Sequence, residues 1–287
     1  MKRRGHAALP GRILPAFLNL TLVVLIGGFA AAALVRLSPG FDVDENSWNP
    51  KISASTLAAM QAQRQQENRL PVFYARYLRG ALRGDLGISD SFKVPVVDLL
   101  KQRAPVSIRL LGWGTGLGLL FGGVFAWLAV WPRSAGLSVL AMSFNGILLA
   151  IPPAVLALAF FFEEAPLSLA VALALLPRVF GTMRALFADL YAAPALLAAR
   201  ARGITPAAIA LRYVVAPALP QLLALTGVAL VLAFGSLIPI EALCDVPGIG
   251  QLAWKAALAR DLPLLCGLAL MITFMVAFVH ALGELTE

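Results

Sequence analysis

Charge is what this chain has least of. Asp, Glu, Lys and Arg make up 13% of its 287 residues, while apolar residues make up 60%. Soluble domains carry about 25% charge, so this composition excludes one and places the chain in a membrane. Cysteine is nearly absent: only Cys244 and Cys266 occur, without metal-ligand spacing, and His6 and His280 are remote in sequence. A metal centre is therefore not indicated, small buried thiols are the favoured reading, and nothing supports a disulfide between them. No GxxxxGK[ST] loop occurs, which excludes ATP hydrolysis by that route. The apolar runs hold no His/Asp pair, Ser/Lys pair or metal cluster, which argues against an intramembrane enzyme. They also lack a midplane Asp, Glu or His relay, which argues against an ion-driven secondary transporter, the main alternative. Asn19 and Asn145 are polar but carry no proton at neutral pH; bridging between helices is their default role. The runs are continuous rather than alternating, so a β-barrel is excluded.

What is present is about six runs long enough to span as helix, near 13–35, 107–131, 137–162, 167–186, 218–240 and 262–282. The fourth is the least regular, interrupted by Pro177, Arg178 and Arg184; Pro152-Pro153 must break or kink the third. Gly114, Gly118 and Gly122 recur every fourth residue in the second run and allow another helix close approach. Gly112 to Gly116 superficially resembles a nucleotide loop, but no strand precedes it and it lies inside a span. The first run is about 23 residues, longer than the 7–15 of a signal-peptide core, so an uncleaved first span is the better reading.

Orientation follows from the Lys and Arg of short flanks. Lys2, Arg3, Arg4 and Arg12 precede the first run; Arg200, Arg202 and Arg212 lie between the fourth and fifth. Both flanks, and with an even number of spans both termini, are expected in the cytoplasm. The net charge of +8 is thus mainly a topology signal, and no soluble basic domain exists to bind nucleic acid. The expected segments are a cytoplasmic N-terminus (1–12), a first span (13–36), a periplasmic helical loop (37–106), and a five-helix core (107–287) with a cytoplasmic loop near 187–217. Within 37–106, helices are expected near 53–69, 72–83 and 95–103, with a turn at Arg83-Gly84-Asp85-Leu86-Gly87. In the second of these, Phe73, Tyr77 and Ala81 mark one side and Arg76, Arg79 and Arg83 another, which suits a helix on the membrane surface or against the bundle.

Five motifs then stand in order along the chain. Arg36-Leu37-Ser38-Pro39-Gly40 and Arg83 to Ser89 (RGDLGIS) come first, followed by Ala199-Arg200-Ala201-Arg202-Gly203-Ile204. Glu241 to Leu252 (EALCDVPGIGQL) and Arg260-Asp261-Leu262-Pro263 complete the set. Together they resemble the R-L-x-P-G, R-G-D-L-G-x-S, ARAKGL, E-x-x-F-x-x-P-G-L-G-x-L and R-D-Y-P marks of a known family. That family is the permeases of the dipeptide/oligopeptide/nickel class of bacterial ABC importers, in their first-type form with a long periplasmic loop. Cys244 and Asp245 stand where the family carries an aromatic-containing pair.

The resemblance implies an all-α membrane protein of type I importer architecture. It implies a transport subunit without its own ATPase site or cofactor, with ATP bound by partner subunits. The partners implied are two ABC ATPases, a second related permease in a heterodimer, and a periplasmic or lipid-anchored solute-binding protein. A helix near 199–210 is expected to dock in an ATPase groove, with Ala199, Ala201 and Gly203 allowing close approach, Arg200 and Arg202 pairing with acids, and Ile204 closing the motif. Glu241, Pro247, Gly248, Gly250, Arg260 and Asp261 are expected to form a periplasmic gate or lid. Di- or oligopeptides are the expected solute.

Overall fold

Helix is the only regular structure among the described residues, apart from one isolated bridge between Ile88 and Pro95. A computed structural model describes residues 10–37, 70–130 and 135–286. The helices are α1 (Pro10–Leu37), α2 (Leu70–Ala81), α3 (Val96–Val130), α4 (Ala135–Ala150), α5 (Pro153–Phe162) and α6 (Leu167–Ala192). After them come α7 (Pro194–Ala201), α8 (Pro206–Ile209), a π-helical turn (Ala210–Val215), α9 (Ala216–Leu243), α10 (Ile249–Leu258) and α11 (Leu262–Thr286). The helix expected near 53–69 and most of the Arg36–Gly40 motif lie outside the described residues.

Among the described residues, four helical stretches are long and apolar enough to cross a membrane: Val96–Val130, Leu167–Ala192, Pro206–Leu243 and Leu262–Val279. A fifth span results if the pair α4–α5, bent by 94°, is one span. In α1 the apolar stretch so identified is the shorter Thr21–Leu34. The sharp bend has a local cause. Pro153 forces the residue before it out of the helical region, and Pro152 adopts φ −62°, ψ 144°. Pro153 then opens α5, where its missing N–H costs nothing.

Two expectations are corrected here. Pro177 does not interrupt the fourth span: α6 runs unbroken through it for 26 residues. Its side chain is buried, so packing holds the helix together although one backbone hydrogen bond is lost. Likewise, the short helix expected near 95–103 and the second span are one helix, α3, of 35 residues with Pro105 inside. At 1.5 Å per residue such a helix is about 52 Å long, well beyond the ~30 Å hydrocarbon layer, so part of it stands outside the membrane.

The chain divides into two compact units, Met1–Ala104 with Leu252–Phe278, and Pro105–Gln251 with Val279–Glu287. In the first unit, α2 packs on α1 through its aromatic face. The Tyr74 hydroxyl donates to the Leu25 carbonyl at 2.8 Å, and its ring meets Phe29 edge-on. Tyr77 donates to the Pro263 carbonyl at 3.0 Å. Tyr74, Tyr77, Ala32, Leu262, Cys266 and Leu270 form one buried cluster. Arg76, Arg79 and Arg83 are exposed. Burial raises the phenol pKa of both tyrosines above the usual value, so they remain hydrogen-bond donors. A Cβ at Gly28 would meet the Tyr74 hydroxyl at 2.5 Å, so the close approach of α2 to α1 requires a glycine there.

In the second unit, α6 is the central helix, packed against α4, α5 and α9. Its buried side chains include Val171, Leu175, Val179 and Phe180. The three glycines of α3 face this row. A Cβ at Gly114 or Gly122 would lie 2.5 Å from Val171 or Val179, and one at Gly118 would lie 3.2 Å from Leu175. Rows of period four on both helices therefore mesh, with backbone against side chain and no space for a methyl group. Trp127 continues the seam, meeting Phe187 and Tyr191 edge-on.

Candidate functional site

The motif Ala199–Ile204 is not one helix running to 210. Pro194 opens α7, with Ala193 extended before it, and α7 ends at Ala201 after 8 residues. Gly203 takes φ +70°. Its N–H donates to the Arg200 carbonyl at 3.0 Å, and the Ile204 N–H to the Ala199 carbonyl at 3.2 Å. This paired closure satisfies the last carbonyls of α7 and demands a left-handed residue, which glycine supplies without strain. Thr205 then caps α8, accepting from the Ala208 N–H at 3.4 Å, and Pro206 takes the first helical position. The chain thus forms two helices joined by a tight, glycine-dependent corner.

Two roles expected of this motif change accordingly. Ala199 is buried within this chain and does not face outward. No atom lies within 4 Å of a Cβ at Gly203, whose own requirement is conformational rather than spatial. The outward face instead carries Leu197, Arg200, Ala201 and Arg202, with Leu197 63% exposed. Leu196 and Ala199 supply the inward face that seats α7.

The motif Glu241–Leu252 is organised by a carboxylate. Glu241 lies in the last turn of α9 and is fully buried. It accepts from the Ser107 hydroxyl at 2.7 Å, the Gly250 N–H at 2.6 Å and the Gln251 N–H at 3.3 Å. Ser107 in turn accepts from the Ile249 N–H at 2.8 Å, and the Gly248 N–H donates to the Val246 carbonyl at 2.7 Å. All four N–H groups that open α10 are thereby satisfied. Its carboxyl oxygens thus lie at the positive end of the helix dipole. The glycines follow from the same geometry. A Cβ at Gly248 would collide with the Glu241 carboxylate, and one at Gly250 would lie 2.7 Å from the Ile238 Cα. Pro247 precedes this junction in the turn leaving α9. Asp245 closes α9 in the left-handed region, φ +50°, and accepts from the Gln251 side chain at 2.5 Å.

A second buried carboxylate organises Arg260–Pro263. Arg260 takes φ +53° and ends α10 by the closure seen at Gly203: the Asp261 N–H donates to the Ala256 carbonyl at 3.0 Å. Asp261 then caps α11, accepting from the Leu264 N–H at 3.1 Å. Its other oxygen accepts from the Ser89 hydroxyl at 2.5 Å and the Ser91 N–H at 2.9 Å. The RGDLGIS and RDLP motifs therefore interlock. Asp85 and Gly87 shape the first partner: the Gly87 N–H donates to the Asp85 carboxylate at 2.9 Å, and Gly84 and Gly87 take φ +80° and +76°. Burial opposes ionisation of Asp261, but hydrogen bonds from Ser89, Ser91, Leu264 and Asp90 outweigh it and hold its pKa below the usual Asp value.

Ser107 and Ser91 were not among the residues singled out in the sequence. Ser107 lies 134 positions from Glu241, and no local pattern marks it. Cys244 and Cys266 are both buried, and no disulfide joins them. Among the described residues, no group of three or more His, Cys, Asp or Glu could hold a metal ion.

Residues 114–285 match the family described as binding-protein-dependent transport system inner membrane component. The chain belongs to this family. Full-length relatives agree. The permease is 26% identical to a probable peptide ABC transporter permease protein of Sinorhizobium fredii, over 95% of both chains. It is 26% identical to the oligopeptide transport system permease protein OppB of Haemophilus influenzae, over 96% of this chain and 94% of that one. Identity to the nickel import system permease protein NikB of Staphylococcus aureus is 25%, over 95% of this chain and 88% of that one. The permease is thus a multi-pass inner-membrane subunit of an ABC importer, the membrane part of a system that includes ATPase and solute-binding partners.

Proposed function

We propose that this permease and a second, related permease together form the translocation pathway of a di- or oligopeptide importer. The peptide reading is supported by the names carried by two of the three relatives described above. Two ATPases bind the cytoplasmic side, where both termini also lie. The observation that carries the coupling assignment is the surface of α7. It is a rigid, two-faced element, seated by Leu196 and Ala199 and closed by Gly203, presenting Leu197 beside Arg200 and Arg202. An apolar anchor flanked by two arginines suits a groove with an acidic rim. A positive-inside signal needs the arginines alone; it needs neither the corner nor the exposed leucine.

On the periplasmic side, the Glu241 and Asp261 junctions hold the loops that meet the binding protein and gate the pathway. Their hydrogen bonds make them rigid, so the gate moves as packed pieces rather than by melting. A strain lacking this chain tests the substrate reading through uptake of labelled trialanine and of nickel. Trialanine uptake is expected to fall and to return on complementation, with nickel uptake unchanged. Loss of nickel uptake alone contradicts the peptide reading. An affinity-tagged copy should also retain a second permease; an active complex holding only this chain and ATPases contradicts the heterodimer.

A further inference from the structure

Arg178 stands in the middle of α6, about 17 Å along the helix from Leu167 and about 21 Å from Ala192 at 1.5 Å per residue. The helix is apolar enough to span and half of its most apolar stretch is buried, yet Arg178 is exposed. Among the described residues, no carboxylate forms an ion pair with it. Its face continues through Gly181, Thr182 and Ala185, all exposed and all small or polar. Other exposed helix faces of this chain look different: α1 exposes Leu22, Ile26 and Phe29, and α4 exposes Val139, Leu140 and Ile147. Arginine at membrane depth faces protein or water rather than hydrocarbon. One turn along the same face, a Cβ at Gly181 would meet no atom within 4 Å, and the Thr182 hydroxyl donates to the Arg178 carbonyl at 3.0 Å.

We propose that Arg178 lines the translocation pathway and binds the carboxylate of the transported solute. A planar guanidinium takes a carboxylate through two parallel N–H···O bonds, and a solute with a free carboxyl terminus presents that group. This inference rests on the peptide reading for its ligand but not for its place in the pathway, so the two are tested separately.

The first arm needs no substrate. In the assembled importer, with Cys244 and Cys266 replaced by alanine, Thr182→Cys is treated with membrane-impermeant methanethiosulfonates. One reagent carries a sulfonate, the other a trimethylammonium group. The thiol is expected to react, and faster with the anion; adding Arg178→Gln is expected to abolish that preference. An unreactive thiol, as lipid or a dry subunit interface predicts, overturns the proposal, as does a preference indifferent to Arg178. The second arm compares uptake of trialanine with that of trialanine amide, the binding protein being unchanged. Wild type is expected to favour the free carboxylate, and Arg178→Gln to cut trialanine uptake by about tenfold, the loss of one charge-assisted contact. Arg178→Lys should restore part of it. An unaltered ratio in Arg178→Gln overturns carboxylate binding. If wild type takes up neither compound, the peptide reading falls, and the thiol arm still decides the position of Arg178.

Discussion

Glu241 and Asp261 are both fully buried carboxylates, and both receive the N–H groups of a helix N-terminus. They differ in where their partners come from. Asp261 caps the helix it opens, so half of its network is local, and only the Ser89 loop is distant. Glu241 caps a helix it does not belong to, and its remaining partner, Ser107, is 134 positions away. Asp261 is therefore a joint between consecutive helices, while Glu241 is a rivet through three. Removing the second should loosen more of the molecule.

Glu241→Ala is expected to be the most damaging change in this pair. It strands the Ser107 hydroxyl and the Gly250 and Gln251 N–H groups in a buried site, and should cost about 3–5 kcal/mol. The thermal midpoint of the detergent-solubilised importer checks this. A midpoint equal to wild type would show that the junction does not hold α10. Asp261→Ala should cost less, about 2–3 kcal/mol, because Arg260 still closes α10 and Pro263 still favours the start of α11. If it proves the more costly of the two, the joint-and-rivet distinction is wrong.

The pH dependence sharpens the contrast. The pKa of folded Asp261 lies below its ordinary value of 3.8, so its contribution is complete above that value. It is lost only as pH falls further, through the lowered folded value. Between pH 7 and pH 5 the stability difference between wild type and Asp261→Asn should stay constant. A difference that shrinks across that window contradicts the lowered pKa. The smallest effect is expected at Ser89. Ser89→Ala removes one of several donors to Asp261 and should cost about 1 kcal/mol.

Much of the fold was legible because it is written in local patterns. Apolar runs located the long helices, period-four glycines marked the α3 face that meets α6, and Pro152-Pro153 announced the bend. A single proline misled. Pro177 looks like a break, but a lone buried proline removes one hydrogen bond, whereas the pair at 152–153 also forces its first member out of the helical region. The site was legible as motifs but not as mechanics. Gly203 reads equally as a close-approach glycine or a corner; only its positive φ distinguishes them. Ser107 carries no local signal at all, because its role depends on a partner far along the chain. The corner also alters what a substitution at 203 would mean. Gly203→Leu strains the backbone whether or not an ATPase binds there, so its loss of uptake would not identify a docking surface.

Arg200 and Arg202 are exposed and leave that corner intact, which makes them the direct test of coupling. The decisive measurement is ATPase retention by the tagged permease carrying Arg200→Glu and Arg202→Glu, with solute uptake scored at matched membrane levels. The coupling assignment predicts that the protein inserts normally but loses its ATPases and its uptake, and that a weaker defect in either single variant depends on salt. Full ATPase retention with wild-type uptake would contradict it.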